Sequence, residues 1–257
     1  MGQVIYFLSL NLTCIAELRK EDLVKHIRKR TIQTGRLFFS SSLTHLFIYS
    51  FRNMIAQIAT ALPLMEQFYT IQGEGVHQGK AAVFIRLGGC DVGCVWCDVK
   101  ESWDVEAHPM TPIADIVAAA LEFPAKLAVI TGGEPLMHNL DELCEALHAA
   151  GFELNIETSG AHPLTGKWEW ICYSPKKFKA PCPEFPAEAD ELKIIIFNKH
   201  DFEWAETHAK LVRDSCALLL QPEWGRQKEM LPLMIDYVKA NPKWRISLQT
   251  HKYMEIP

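Results

Sequence analysis

From Phe68 onward, short apolar runs alternate with amphipathic stretches, and this alternation leaves few architectures open. The runs lie at Ala81–Leu87, Lys126–Ile130, Glu153–Glu157, Trp170–Tyr173, Leu192–Phe197, Ala217–Leu220 and Arg245–Leu248. Each has the length of a strand, and the more continuous ones read as strands covered on both faces. Helical patterns separate them. Thr111-Pro112 is expected to cap and open a helix running to Leu121, Leu140–Ala150 a helix closed by Gly151, and two more fall near Glu203–Arg213 and Arg226–Ala240. Strand and helix in turn predict a parallel sheet. About seven strands with four or five helices are too few for a complete eightfold barrel, so the expectation is an α/β fold, a partial, open β/α barrel.

The chain has 257 residues, 49% of them hydrophobic, enough for one large α/β domain around a single cavity. A net charge of -5 gives no global basic field, which argues against nucleic acid and for a small-molecule partner. The opening Val4–Leu12 lacks the flanks of a signal peptide, and Leu37–Ile58 is broken by Ser40, His45, Arg52 and Asn53, so no membrane association is expected. Residues 1–60 carry eight Lys/Arg against Glu17, Glu21 and Asp22, unlike the acidic remainder. We read residues 1–62 as an appendage to a catalytic domain at 63–257, and favour an initiator at Met54 or Met65 over a genuine basic extension.

In parallel β/α sheets the site forms where strands end. After the first run comes Gly88-Gly89-Cys90, with Cys94 and Cys97 following in C-x3-C-x2-C spacing. Thiols so spaced suit an iron–sulfur cluster in which one iron lacks a protein ligand. They also suit zinc, with His77 or His108 as a fourth ligand, although no second Cys/His knuckle appears. Cys14, Cys144, Cys172, Cys182 and Cys216 are scattered singly, and eight cysteines with three clustered fit a reducing compartment, here the cytoplasm. After the second run comes Thr131-Gly-Gly-Glu-Pro135, where paired glycines let a ligand approach the backbone and Glu134 has an ammonium group within its chemistry. Glu157-Thr-Ser-Gly160, Ser174-Pro-Lys176 and Gln221-Pro-Glu-Trp224 follow later runs.

The cysteine loop followed by Gly-Gly-Glu-Pro resembles the radical S-adenosylmethionine superfamily. Phe68-Tyr-Thr-Ile-Gln-Gly-Glu-Gly75, Phe84-Ile-Arg86, Glu157-Thr-Ser-Gly160 and the ending Ser247–Pro257 resemble, within it, the 7-carboxy-7-deazaguanine synthase family of the 7-deazapurine pathway to queuosine. The similarity covers roughly residues 64–257. It implies that Cys90, Cys94 and Cys97 ligate a 4Fe-4S cluster and that S-adenosylmethionine lies against Trp96, Cys97, Asp98, Gly133, Ser174, Pro175, Lys176, Gln221, Pro222, Glu223 and Trp224, with Glu134 and Ser159 nearby. It further implies that 6-carboxy-5,6,7,8-tetrahydropterin is held by Ile71, Gln72, Gly73, Arg86, Thr131 and the carboxylate of Pro257, with Glu74 and His251 as further candidates. Arg86 suits a carboxylate, and a guanidinium buried mid-strand would otherwise be costly.

The resemblance implies reductive cleavage of S-adenosylmethionine, hydrogen abstraction at C6 of the pterin and ring contraction with loss of ammonia. It also implies an electron donor such as flavodoxin or ferredoxin, a homodimer, and Mg2+. The hydroxyl residue that often helps hold that Mg2+ is replaced here by Val99, which offers a hard cation no oxygen. Competing readings are a glycyl-radical activase, which shares the three-cysteine loop, and a zinc-stabilised binding module without catalysis.

Overall fold

A computed structural model describes residues 61–257. Its strands are β1 (Ala61–Ile71), β2 (Ala81–Leu87), β3 (Met110–Pro112), β4 (Leu127–Gly132), β5 (Glu153–Thr158), β6 (Trp170–Tyr173), β7 (Glu191–Ile196), β8 (Ala217–Pro222) and β9 (Trp244–Ile246). The α-helices are α1 (Ile113–Leu121), α2 (Asp141–Ala149), α3 (Phe185–Glu188), α4 (Asp201–Ala209), α5 (Gln227–Ala240) and α6 (Thr250–Met254). The strands form one mixed sheet in the order β3-β1-β2-β4-β5-β6-β7-β8-β9. From β2 through β9 every pairing is parallel, and β1 is antiparallel to both β2 and β3.

Side chains alternate across the sheet because the strand period is two. From β2, Val83, Ile85 and Leu87 join Ile116 of α1 and Leu143 and Leu147 of α2 in the main core. Each such aliphatic, fully buried, contributes about 1.5–3 kcal/mol against chain entropy. Phe84 and Arg86 face the opposite side and line a cavity. The sheet stays open, its edge strands β3 and β9 unpaired with each other. Loops bridge the gap instead: the Gly75 amide donates to Ser247 Oγ at 2.9 Å and the Thr250 amide to the Gly73 carbonyl at 2.9 Å. The partial, open β/α barrel expected from the sequence is the fold observed.

Several local expectations need correction. Nine strands exist among the described residues rather than seven, because Glu66, Gln67 and Thr70 break the apolar pattern of β1 and β3 is only three residues long. Thr111 is not a helix cap: it lies in β3 opposite Leu62, its hydroxyl bonded to the Pro109 carbonyl, and Pro112 precedes the first helical residue, Ile113. The helix expected to reach Arg213 ends at Ala209. The last strand is Trp244–Ile246, and Thr250 begins a helix that turns the tail back across the sheet edge. The expected appendage and an initiator at Met54 fall outside the described residues; Ala61 and Leu62 belong to β1, with Leu62 in the main core. No helix among the described residues is long and apolar enough to cross a membrane.

Candidate active site

The loops after the strands surround a cavity of about 440 Å3. Among the site residues expected from the sequence, all but Pro175 line it. Pro175 borders a neighbouring cavity of about 160 Å3, sharing its wall with Trp96 and Lys176.

The cysteine loop is held by its own backbone. The Gly88 amide reaches the Pro63 carbonyl at 2.7 Å, Gly89 reaches Ser102 at 2.6 Å and Cys90 reaches Trp103 at 3.2 Å. The next loop is stapled to it, with the Glu134 amide on the Gly89 carbonyl at 2.9 Å and the Gly133 amide on the Leu87 carbonyl at 3.1 Å. A Cβ on Gly132 would sit 2.2 Å from the Leu87 carbonyl oxygen, and one on Gly133 2.3 Å from that of Gly89. The paired glycines therefore answer first to the close approach of two loops, and only then to any ligand.

Cys90, Cys94 and Cys97 are free thiols that pack together with Val92, Trp96 and Ala161. Burial pushes the Cys94 thiol up to about 11, against the pull of the Lys176 ammonium, so binding of a cation there must displace a proton. Among the described residues no three His, Cys, Asp or Glu side chains close round a single-ion position. Three soft donors at the wall of a roomy cavity fit a multi-iron cluster better than a closed tetrahedral ion.

Glu134 differs from expectation. Its carboxylate accepts from the Leu136 amide (3.2 Å), Thr158 Oγ1 (2.6 Å), the Ser159 amide (2.8 Å) and Ser159 Oγ (2.5 Å). These use the acceptor sites an ammonium group would need, so the buried carboxylate ties the β4 and β5 loops together. Glu223 likewise accepts from the Gly225 and Arg226 amides, both at 3.0 Å. Lys176 folds back onto Ser174, bonding its carbonyl at 2.7 Å, and its ammonium lies 5.9 Å from the centre of the Trp96 ring. Asp98 pairs with Lys252 of α6 at 2.6 Å.

Arg86 lies near the end of β2, not in its middle, and its Nε donates to Glu66 at 2.6 Å, so its charge has a partner. Gln72 Nε2 donates to Glu157 at 2.9 Å, and its side-chain oxygen accepts the Glu74 amide at 3.0 Å. His251 packs so closely on Gly73 that a Cβ there would lie 2.4 Å from Nδ1. Thr70 Oγ1 reaches the Pro257 carbonyl oxygen at 3.2 Å, bringing the last residue to the cavity wall. Glu74 is a buried ion-pair member rather than a turn carboxylate: Lys193 donates to it at 2.7 Å and Gln249 at 2.9 Å. Burial raises the Glu74 carboxyl, but Lys193 and these hydrogen bonds outweigh it and hold the carboxyl at about 2. Sequence reasoning gave no role to Lys193, Trp103 or Gln249; Gln249 falls within the Ser247–Pro257 motif, and the one signal for Lys193 is a lone cation within an apolar run.

Comparison with known proteins gives the chain its family. The family model of the Radical SAM superfamily matches residues 84–173. A 7-carboxy-7-deazaguanine synthase of Flavobacterium psychrophilum is 57% identical over 196 residues, covering 76% of this chain and 93% of that protein. One from Synechocystis is 45% identical over 199 residues, covering 77% and 95%. The crystal structure of QueE from Escherichia coli superposes with a TM-score of 0.66 at 31% identity, over 76% of this chain and 97% of that one.

Proposed function

The chain belongs to the 7-carboxy-7-deazaguanine synthases, radical S-adenosylmethionine enzymes of queuosine biosynthesis, and on that premise we propose how its cavity divides the work. That membership removes the activase and the zinc module from contention. The family's 4Fe-4S cluster and S-adenosylmethionine, when bound, supply the radical that takes hydrogen from the pterin.

Cys90, Cys94 and Cys97 would hold the cluster, three thiolates where a four-iron cluster usually takes four. Asp98, Gly133, the Ser174–Lys176 segment and Gln221–Trp224 form that cofactor's walls, with Glu134 and Ser159 fixing the loops behind them. On the pterin side, Arg86 meets the 6-carboxylate. Its Nε is engaged by Glu66, which leaves the Nη groups, unpaired among the described residues, as donors to a carboxylate. Gln72, Gly73, Thr131 and the Pro257 terminus frame the ring, with Glu74 and His251 beside them. The single observation that carries this division is that one cavity gathers all of these groups but Pro175. Orientation and exclusion of water are the protein's contribution.

Val99 lines the same cavity and offers no oxygen, so a Mg2+ there would be held through substrate oxygens and water. Flavodoxin or ferredoxin as donor and a homodimeric assembly complete the reading. Electron paramagnetic resonance of the reduced protein tests it: S-adenosylmethionine should change the cluster signal, and Arg86→Gln should raise the pterin KM without altering that change. An Arg86 variant with an unchanged pterin KM would move the substrate elsewhere.

A further inference from the structure

Lys193 is the most buried cation at the cavity wall, its side chain 5% exposed. It sits in the middle of β7, where its Nζ lies 2.7 Å from Glu74 and 3.6 Å from Glu157. Packing does not require it. A buried ion pair stabilises a fold little better than apolar residues of the same volume. Both carboxylates it holds line the cavity and each accepts a further hydrogen bond there, Glu74 from Gln249 and Glu157 from Gln72. Each keeps acceptor capacity beyond those bonds.

We propose that Lys193 is a positioning residue for substrate: its ammonium gathers the carboxylates of Glu74 and Glu157 on one centre, as acceptors for the N–H groups along the aminopyrimidine edge of the pterin. The inference rests on the substrate placement given above and deepens it. A reduced pterin has a carboxylate on one ring and a row of N–H donors on the other, so its recognition needs one cation and a pair of anions. Arg86 on β2 supplies the cation. The anions come from the loop after β1 and from the end of β5, joined through Lys193 of β7.

The groups facing this centre are consistent with that role. Burial alone would lower the Lys193 ammonium, yet the surrounding negative groups hold it well above its ordinary value. Cys172 is among its neighbours, but burial pushes that thiol well up, so it is neutral and the attraction comes from Glu157, Glu74 and Glu191. Lys176 adds a second cation nearby, and burial lowers the His251 imidazole. Loss of Lys193 therefore leaves Glu74 with burial as its main influence, which favours protonation.

The test is a double-mutant cycle on the reconstituted holoenzyme with Lys193→Met, Glu74→Gln and both together, reading pterin KM, kcat, the pH profile of kcat/KM, cluster absorbance and Tm. Lys193→Met should raise the pterin KM at least about tenfold with a smaller change in kcat, and move the acid limb of kcat/KM to higher pH. In the Glu74→Gln background the same substitution should cost much less. Equal cost in both backgrounds with an unmoved acid limb would overturn the proposal and make Lys193 purely structural. Where methionine lowers Tm or cluster content, Lys193→Gln, which keeps a donor without the charge, is read by the same criteria. If that too fails to fold, the Glu74→Gln/Glu157→Gln cycle, with Lys193 intact, must show coupling, and additivity there overturns the proposal. If Glu74→Gln and Glu157→Gln both leave the pterin KM unchanged in an active enzyme, it is the underlying substrate placement that fails.

Discussion

Replacing Glu134 with alanine separates two roles that its position at a strand end would allow. The carboxylate accepts hydrogen bonds from the Leu136 amide, Thr158 Oγ1, the Ser159 amide and Ser159 Oγ. The two hydroxyls can rotate toward other acceptors. The two backbone amides cannot, and Leu136 and Ser159 are both buried. An unpaired buried donor costs about 1–3 kcal/mol, and water entering from the cavity favours the lower half of that range, so the pair comes to about 2–4 kcal/mol. For a domain of this size each kcal/mol moves Tm by about 2–4 °C, giving an expected fall of about 4–16 °C. Glu134→Gln should fall between, because its amide turns a donor toward one pair of donors. The assay is calorimetric or circular-dichroism melting without S-adenosylmethionine, beside a binding titration with it. A Tm within about 2 °C of wild type together with a large loss of S-adenosylmethionine affinity would refute the scaffold role and restore Glu134 as a ligand of the cofactor.

Cys90→Ala, Cys94→Ala and Cys97→Ala should each abolish the visible absorbance of the reconstituted cluster, whereas Cys144→Ala, buried in the main core, should retain it; full iron in a Cys94 variant would contradict the ligand set. Extending the chain beyond Pro257 should raise the pterin KM and leave cluster absorbance intact, because that residue sits at the cavity wall against Thr70; identical kinetics with a C-terminal tag would count against it. Acid stability has a defined window. Burial raises the Glu74 carboxyl and its partners hold it at about 2; the Glu206 carboxyl is held at about 2 against burial by Lys243, Trp244 and Tyr237. Both lie below their ordinary 4.5 when folded, so their contribution is present above pH 4.5 and is lost as pH falls from there toward 2. Melting temperature should drop across that interval, and Glu206→Gln should shallow the drop; a pH-independent Tm would disprove the linkage.

What the sequence made legible follows from the kind of signal each element leaves. Strands covered on both faces, such as β2 and β4, announce themselves as apolar runs, and the residues that follow them proved to ring one cavity. β1 was hidden because Glu66 and Gln67 interrupt both of its faces, and β3 because three residues are too few for a period. The glycines after β4 were recognised as a site of close approach, yet what approaches is the backbone of Leu87 and Gly89, a long-range contact no local pattern records. The same limit applies to charge pairs. Arg86 was read as a cation in apolar surroundings and Lys193, in a like run, was passed over; Glu66 and Glu74 as their partners depend on strand register and on a loop folded across the barrel. The ending was legible as a motif, but the run Arg245–Leu248 overshot the strand, which stops at Ile246, since the turn back over the sheet edge rests on Thr250 meeting Gly73.

The most direct test of the whole account is anaerobic turnover of the reconstituted protein with S-adenosylmethionine, a reductant and 6-carboxy-5,6,7,8-tetrahydropterin deuterated at C6, with products read by mass. The account requires 7-carboxy-7-deazaguanine together with ammonia, and deuterium recovered in 5'-deoxyadenosine. Cleavage of S-adenosylmethionine with the pterin unchanged and no deuterium in the nucleoside would contradict it.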